Sequence, residues 1–132
     1  MEIKRTGNAI EWNKVSLPLE KGDYYIFSPV DKNIYVLHNT DISVVATVYN
    51  RKGAAIGNYE YKNCHATRLF IRAGFANMVY CHTEDSGNKC WYQARLLNNG
   101  FCTELYALHR TDSEGKAIEF IDDFKDFVKE DA

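Results

Sequence analysis

The stretch MVYCHTEDSGNKCWYQARLLNNGFCTELYALHR, residues 78–110, holds three strand-like runs and the two turns between them. Its register decides what kind of sheet this is and which side chains meet. In a strand, successive side chains point to opposite faces, so a slip of one residue exchanges core for surface. For LLNNGF, 96–101, a two-residue Asn99-Gly100 turn pairs Arg95 with Glu104, Trp91 with Leu108 and Cys90 with His109. That register sets opposite charges across the ladder, whereas a three-residue NNG loop seats Glu104 against Ala94 on the apolar face. The two-residue turn is therefore expected. The face carrying Cys90, Tyr92, Ala94, Leu96, Leu105, Ala107 and His109 then reads as core, with Cys102 on the other.

EDSGNK, 84–89, admits two readings. A three-residue Asp-Ser-Gly loop, with Gly87 left-handed, pairs His82 with Cys90 and leaves a row of His82, Cys90 and His109 across three strands. A two-residue Ser86-Gly87 turn pairs Thr83 with Cys90 and leaves Cys81 diagonal to it. Neither sets Cys81 directly opposite Cys90, so a disulfide within this hairpin is not expected.

The same alternation extends outward through the chain. NAIEW (8–12), DYYIFSPV (23–30), IYVLHN (34–39), ISVVATVYN (42–50), AAIGNYEY (54–61) and ATRLFIRAG (66–74) are rich in β-branched and aromatic residues, with turn signals between them. Asn50-Arg51-Lys52-Gly53 reads as a type I turn closed by a left-handed glycine. The pattern predicts a mainly β, antiparallel sandwich or barrel of eight or nine short strands in a single domain, with residues 1–110 as its β body. From 111 the period changes to that of a helix. Ala117, Phe120, Ile121, Phe124, Phe127 and Val128 fall on one stripe, and Thr111 with Glu114 has capping-box spacing. One C-terminal amphipathic α-helix over 111–132 is expected.

The 132 residues suffice for one core without staples, and the chain is 45% hydrophobic, which places it among folded proteins. There is no apolar run of membrane-spanning length and no secretion-signal pattern at the start, which points to an intracellular, cytoplasmic protein or one assembled into a particle made there. Four cysteines in that setting are expected as reduced thiols. Residues 1–110 carry 13 basic and 10 acidic side chains, and 111–132 carry 3 and 8. An acidic end on a body without a basic stripe gives no nucleic-acid footprint.

Zinc ligands cluster at short spacings, and cysteines 64, 81, 90 and 102 are 17, 9 and 12 apart, so no metal is expected. The Cys64-His65 and Cys81-His82 dipeptides point their side chains to opposite faces. No phosphate-binding glycine motif occurs. His82, Cys90 and His109 form the one row resembling a nucleophile beside a base, and it lacks an orienting carboxylate and an oxyanion device. No enzyme and no cofactor are expected.

The candidates that remain are partner-binding ones: Trp91 on the non-core face, Tyr59 and Tyr61 sharing one face of their strand, and the stripe Phe120, Ile121, Phe124, Phe127 and Val128, which suits either its own sheet or a groove on another chain. The leading expectation is a non-catalytic protein-interaction or structural protein, such as a self-associating virion or assembly component, or an intracellular inhibitor of another protein. A barrel holding a metabolite or sugar near Tyr80 and Tyr92 comes second, and a Cys-His enzyme third.

Overall fold

The computed structural model describes residues 2–120, and of Glu104, Leu105 and 117–120 the backbone alone. Strand β5 (Ile34–Asn39) explains the architecture, because both of its faces are buried. Ile34 and Val36 point one way, Tyr35 and Leu37 the other, and each pair enters a different apolar cluster. A strand buried on both sides needs a layer on each.

β5 lies inside a four-stranded antiparallel sheet with β4 (Tyr24–Phe27), β6 (Ser43–Tyr49) and β7 (Ala55–Lys62), in the order β4-β5-β6-β7. On one face packs a small meander of β1 (Lys4–Thr6), β2 (Ala9–Trp12) and β3 (Val15–Pro18), which sets Ile10, Trp12 and Leu17 against Ile34 and Val36. The Trp12 indole donates to the Arg51 carbonyl at 2.7 Å, so its polar edge is satisfied while its ring is buried. On the other face lies a five-stranded sheet in the order β12-β11-β10-β9-β8. Its strands are β8 (Cys64–Arg72), β9 (Phe75–Thr83), β10 (Lys89–Leu96), β11 (Cys102–Thr111) and β12 (Ala117–Phe120). Ala66, Met78, Ala94 and Leu96 from this sheet meet Tyr35, Leu37, Val44 and Ala46 in the main core.

The chain passes between the two larger sheets at Asn63 alone, a left-handed residue (φ 58°) between β7 and β8. Its N–H donates to the Ile42 carbonyl at 2.7 Å and its own carbonyl accepts from Thr83 at 2.8 Å, so the corner leaves neither backbone group unpaired. Nearby, the Asn39 amide donates to the Ala66 carbonyl (2.8 Å) and accepts from the Ala66 N–H (2.9 Å) beside a bulge in β8.

Mainly antiparallel β structure is as expected, and nine of the twelve strands correspond to the runs read from the sequence. The three others, β1, β3 and β12, are three or four residues long. The sheets remain three separate antiparallel arrays among the described residues, with no closed barrel. The helix expected from 111 is not what residues 111–120 form. Thr111 ends β11, and 117–120 return as β12, with Phe120 opposite His109 and Glu119 opposite Arg110. The reason lies in Asp112, whose carboxylate accepts the N–H groups of Glu114 and Lys116, both at 2.9 Å, while Gly115 takes a left-handed φ of 87°. Those bonds close a hairpin loop, and the side-chain-to-backbone chemistry of a turn outcompetes helix nucleation there. Ile121, Phe124, Phe127 and Val128 lie outside the described residues.

The Asn99-Gly100 register is also different. Leu97 N–H donates to the Phe101 carbonyl (2.8 Å) around a three-residue loop with Gly100 at φ 90°, so Ala94 does face Glu104. Arg95 does not pair with Glu104: its guanidinium lies 4.1 Å from the centre of the Phe75 ring. A β-bulge next to Gln93 then restores the pairing expected mid-strand, Gln93 with Tyr106 and Tyr92 with Ala107. A second bulge beside Trp91 advances it again, to Trp91–His109 and Cys90–Arg110.

The Leu97–Phe101 loop folds down on the four-stranded sheet, and Gly57 receives it. A Cβ at Gly57 would stand 2.4 Å from the Asn99 carbonyl carbon and 2.7 Å from the Asn98 oxygen, backbone atoms with little freedom to yield. Gly57→Ala is expected to cost about 1–3 kcal/mol through this overpacking, measurable as a lower urea midpoint at unchanged m-value.

Candidate functional site

Where the Leu97–Phe101 loop reaches β7, five aromatic rings line up. Phe101 packs on Tyr59 (centroids 4.1 Å), Tyr59 on Tyr61 (4.7 Å), Tyr61 reaches Tyr80 (6.3 Å), and Tyr80 meets Tyr92 (5.4 Å). The series descends from an exposed rim, Phe101 at 46% and Tyr59 at 36% accessible, to a buried floor at Tyr80, 3%. Tyr61 is fixed by its hydroxyl, which donates to the Gly100 carbonyl at 2.8 Å, and burial pushes its phenol above the usual range. At neutral pH it is an O–H donor.

The four tyrosines form one wall of an open groove of about 550 Å³, lined also by Glu60, Lys62, Cys64, His82 and Cys102. Four consecutive β7 residues, 59–62, border it. Since adjacent strand residues face opposite ways, the edge of β7 itself must form the wall. β7 ends its sheet and has no strand partner on that side among the described strands.

A second groove, of about 490 Å³, adjoins the first through His82 and Tyr92, and takes in Glu84, Cys90, Trp91, His109 and Arg110. The three-residue Asp85-Ser86-Gly87 loop builds it. Gly87 is left-handed (φ 90°) and Glu84 N–H donates to the Asn88 carbonyl at 2.8 Å, which pairs His82 with Cys90, one of the two readings the sequence left open. His109 lies opposite Trp91, so Arg110 stands where the expected row had a histidine. His109 nevertheless lines the same groove as His82 and Cys90.

The bonding partners in this groove were not foreseen. Glu84 Oε1 accepts from the Cys90 thiol at 3.1 Å and from Arg110 at 2.9 and 3.2 Å. The thiol bond and the guanidinium hold the Glu84 carboxyl below its ordinary range. Desolvation, and then the Glu84 carboxylate, push the Cys90 thiol up. His82 Nδ1 is 3.4 Å from the sulfur of Cys64, on the side away from Cys90. Chemically this is a protonated thiol clamped by an ion pair, the opposite of an activated thiolate. All four cysteines are free, Cys64 and Cys81 buried, Cys90 and Cys102 partly so.

Trp91 is half-buried and packs on Phe70, Val79 and Leu108, away from the main core as expected. Tyr59 and Tyr61 are brought together as expected, and Phe120 is placed in β12. Phe101, Glu84 and Arg110 were missed. The signal for Phe101 lay in the glycine before it, since a left-handed Gly100 closes a three-residue loop and aims that loop at β7.

A third cluster joins Glu20, Asp23 and His38, with ligand atoms within 4.8 Å of one another. His38 Nδ1 is 2.6 Å from Asp23 and Nε2 is 3.1 Å from Glu20. Carboxylates only accept, so both ring nitrogens donate, and the arrangement is an ion-paired imidazolium. No family model, curated protein or solved structure matches this chain.

Two outcomes follow from these contacts. The hydrogen bond to Asp23 raises the His38 pKa. The clamp therefore stabilises the fold fully below the unfolded histidine value of about 6.5 and is lost as pH rises through the raised one. Thermal midpoints should fall across that window in the native protein, and the fall should shrink in His38→Gln. Cys90, for its part, should react with iodoacetamide more slowly at pH 7.5 than a cysteine in a short peptide, and faster once Glu84→Gln removes the neighbouring charge; intact-protein mass spectrometry with peptide mapping reads both rates.

Proposed function

We propose that the protein is a non-catalytic protein-binding domain whose partner docks along the β7 edge and the aromatic row beside it. The observation that carries this is the coincidence of two features: an edge strand eight residues long and a groove beside it lined by four rings, Tyr59, Tyr61, Tyr80 and Tyr92, with Phe101 packed on Tyr59 at its rim. An edge offers backbone N–H and C=O groups to an added strand, and pockets for alternate side chains supply selectivity. Aromatic rings with few rotatable bonds are efficient anchors at such a surface. Glu60 and Lys62 leave a charge of each sign beside the edge, which favours a partner strand carrying charges in complementary order. An assembly component would use this surface on further copies of itself, and an inhibitor would use it on another protein.

Panning a linear peptide library on the immobilised protein tests the reading. Extended peptides with alternating apolar positions should be enriched, and Phe101→Ala and Tyr59→Ala should each weaken their binding by roughly tenfold or more while the circular dichroism spectrum is retained. Peptides whose binding ignores both substitutions would overturn it. Light scattering over a dilution series separates self-assembly, which gives a persistent multimer, from capture of another protein, which leaves a monomer.

The groove's volume and its tyrosine hydroxyls favour a second reading, a small polar ligand such as a sugar stacked on the rings. Here a glycan array would give hits that Tyr61→Phe or Tyr92→Ala abolishes, and peptide panning would give none.

A further inference from the structure

The face of the five-stranded sheet turned away from the shared core does not have the character of a solvent face. Phe70, Val79 and Leu108 are buried on it, with Trp91 packed against them. Register adds Asn77, Gln93 and Arg95 to the same face, and Asn77 and Gln93 are buried as well. The Gln93 amide donates to Asn77 Oδ1 at 3.0 Å. Its own Oε1 is enclosed and meets no donor among the described residues, and Arg95 Nε is enclosed and meets no acceptor there. Buried polar atoms left in this state are costly, so the face is shaped for a further layer that brings polar groups with it.

The face is also basic. By the same alternation, Arg68 and Arg72 of β8 and Lys89 and Arg95 of β10 project from it. The four-stranded sheet packs against the opposite face.

The chain itself holds a segment of matching chemistry. Residues 121–132 carry five acidic and two basic side chains, and Ile121, Phe124, Phe127 and Val128 share one helical stripe. The segment starts at the right place, because β12 ends at Phe120, paired with His109 at the edge of this sheet. It has the right length as well. Twelve helical residues span about 18 Å, and four neighbouring strands about 19 Å.

We propose that residues 121–132 of the same chain form an amphipathic helix that docks on this face, its apolar stripe covering Phe70, Val79, Trp91 and Leu108 and its carboxylates meeting the arginines of β8 and β10. The docked segment makes Trp91 part of an interior and brings polar groups to Gln93 Oε1 and Arg95 Nε, which meet none among the described residues. This surface is separate from the β7 groove and independent of what binds there.

Limited chymotrypsin digestion of the full chain tests the contact without any variant. Cleavage after Phe124 and Phe127 should be roughly tenfold or more slower than in a synthetic 117–132 peptide, because a docked segment is cut only when it opens. Equal rates would overturn the proposal. The chain ended at Phe120, and the full chain carrying Phe124→Asp with Phe127→Asp, should both shift the emission of Trp91 to the red, with Trp12 enclosed elsewhere as an unchanging background. Adding the 121–132 peptide to the shortened chain should reverse the shift, less effectively at high salt. Unchanged emission in both variants would sink the idea. So would protection that disappears on dilution together with a dimer seen by light scattering, since the segment would then dock on a second copy.

Discussion

The double burial of β5 is the constraint on which the rest of the molecule depends. Four successive apolar residues, Ile34, Tyr35, Val36 and Leu37, leave no face for water, so the four-stranded sheet must be the middle of three layers. The small β1–β3 meander exists to cover one side, and without it Ile34 and Val36 would lose their contacts with Ile10 and Trp12. The five-stranded sheet covers the other side through β8, β9 and β10, and in doing so turns its own second face outward. Each layer added to bury one surface exposes another, and the chain has only so many elements with which to finish the sequence.

That logic explains where the two grooves lie. The layers meet squarely over β5 and β6, where Val44, Ala46 and Met78 are buried. At β7 the four-stranded sheet runs out, while the β10–β11 hairpin continues and must bend down to close the gap. Gly57 and Gly100 permit that approach, one by having no side chain and the other by a left-handed turn. The closure is made by aromatic rings rather than by another strand. An aromatic wall bounded by an edge that is unpaired among the described strands is thus a consequence of fitting two sheets of unequal width.

The sequence was legible wherever one local rule acted alone. Period-two alternation located nine strands, and Asn50–Gly53 gave its turn through the conformational demand of Gly53, whereas EDSGNK left a two-residue and a three-residue turn open and the chain takes the three-residue one. It was misleading where two rules competed. At Asn98–Gly100 a cross-strand charge pair favoured one register, and the cation–π contact of Arg95 with Phe75, invisible until β9 is placed, compensates for the other. At 111–116 a capping-box spacing and a helical stripe outweighed the turn chemistry of Asp112 and Gly115, although the loop bonds of Asp112 are local and readable. The groove suffered from the same bulges. Trp91–His109 and Cys90–Arg110 differ by one residue from the expected pairs, and that step is enough to replace an imidazole by a guanidinium beside the thiol.

The replacement changes the chemistry of the Cys90 groove more than its shape. An imidazole next to a thiol can take its proton, whereas Arg110 cannot, and here its charge is spent on Glu84. Glu84 in turn accepts from the thiol and keeps it protonated. Three groups that would each be reactive in isolation thereby satisfy one another at the end of the β9–β10 hairpin and pin β11 to it. The polar residues in this part of the sheet hold register where two bulges have loosened it.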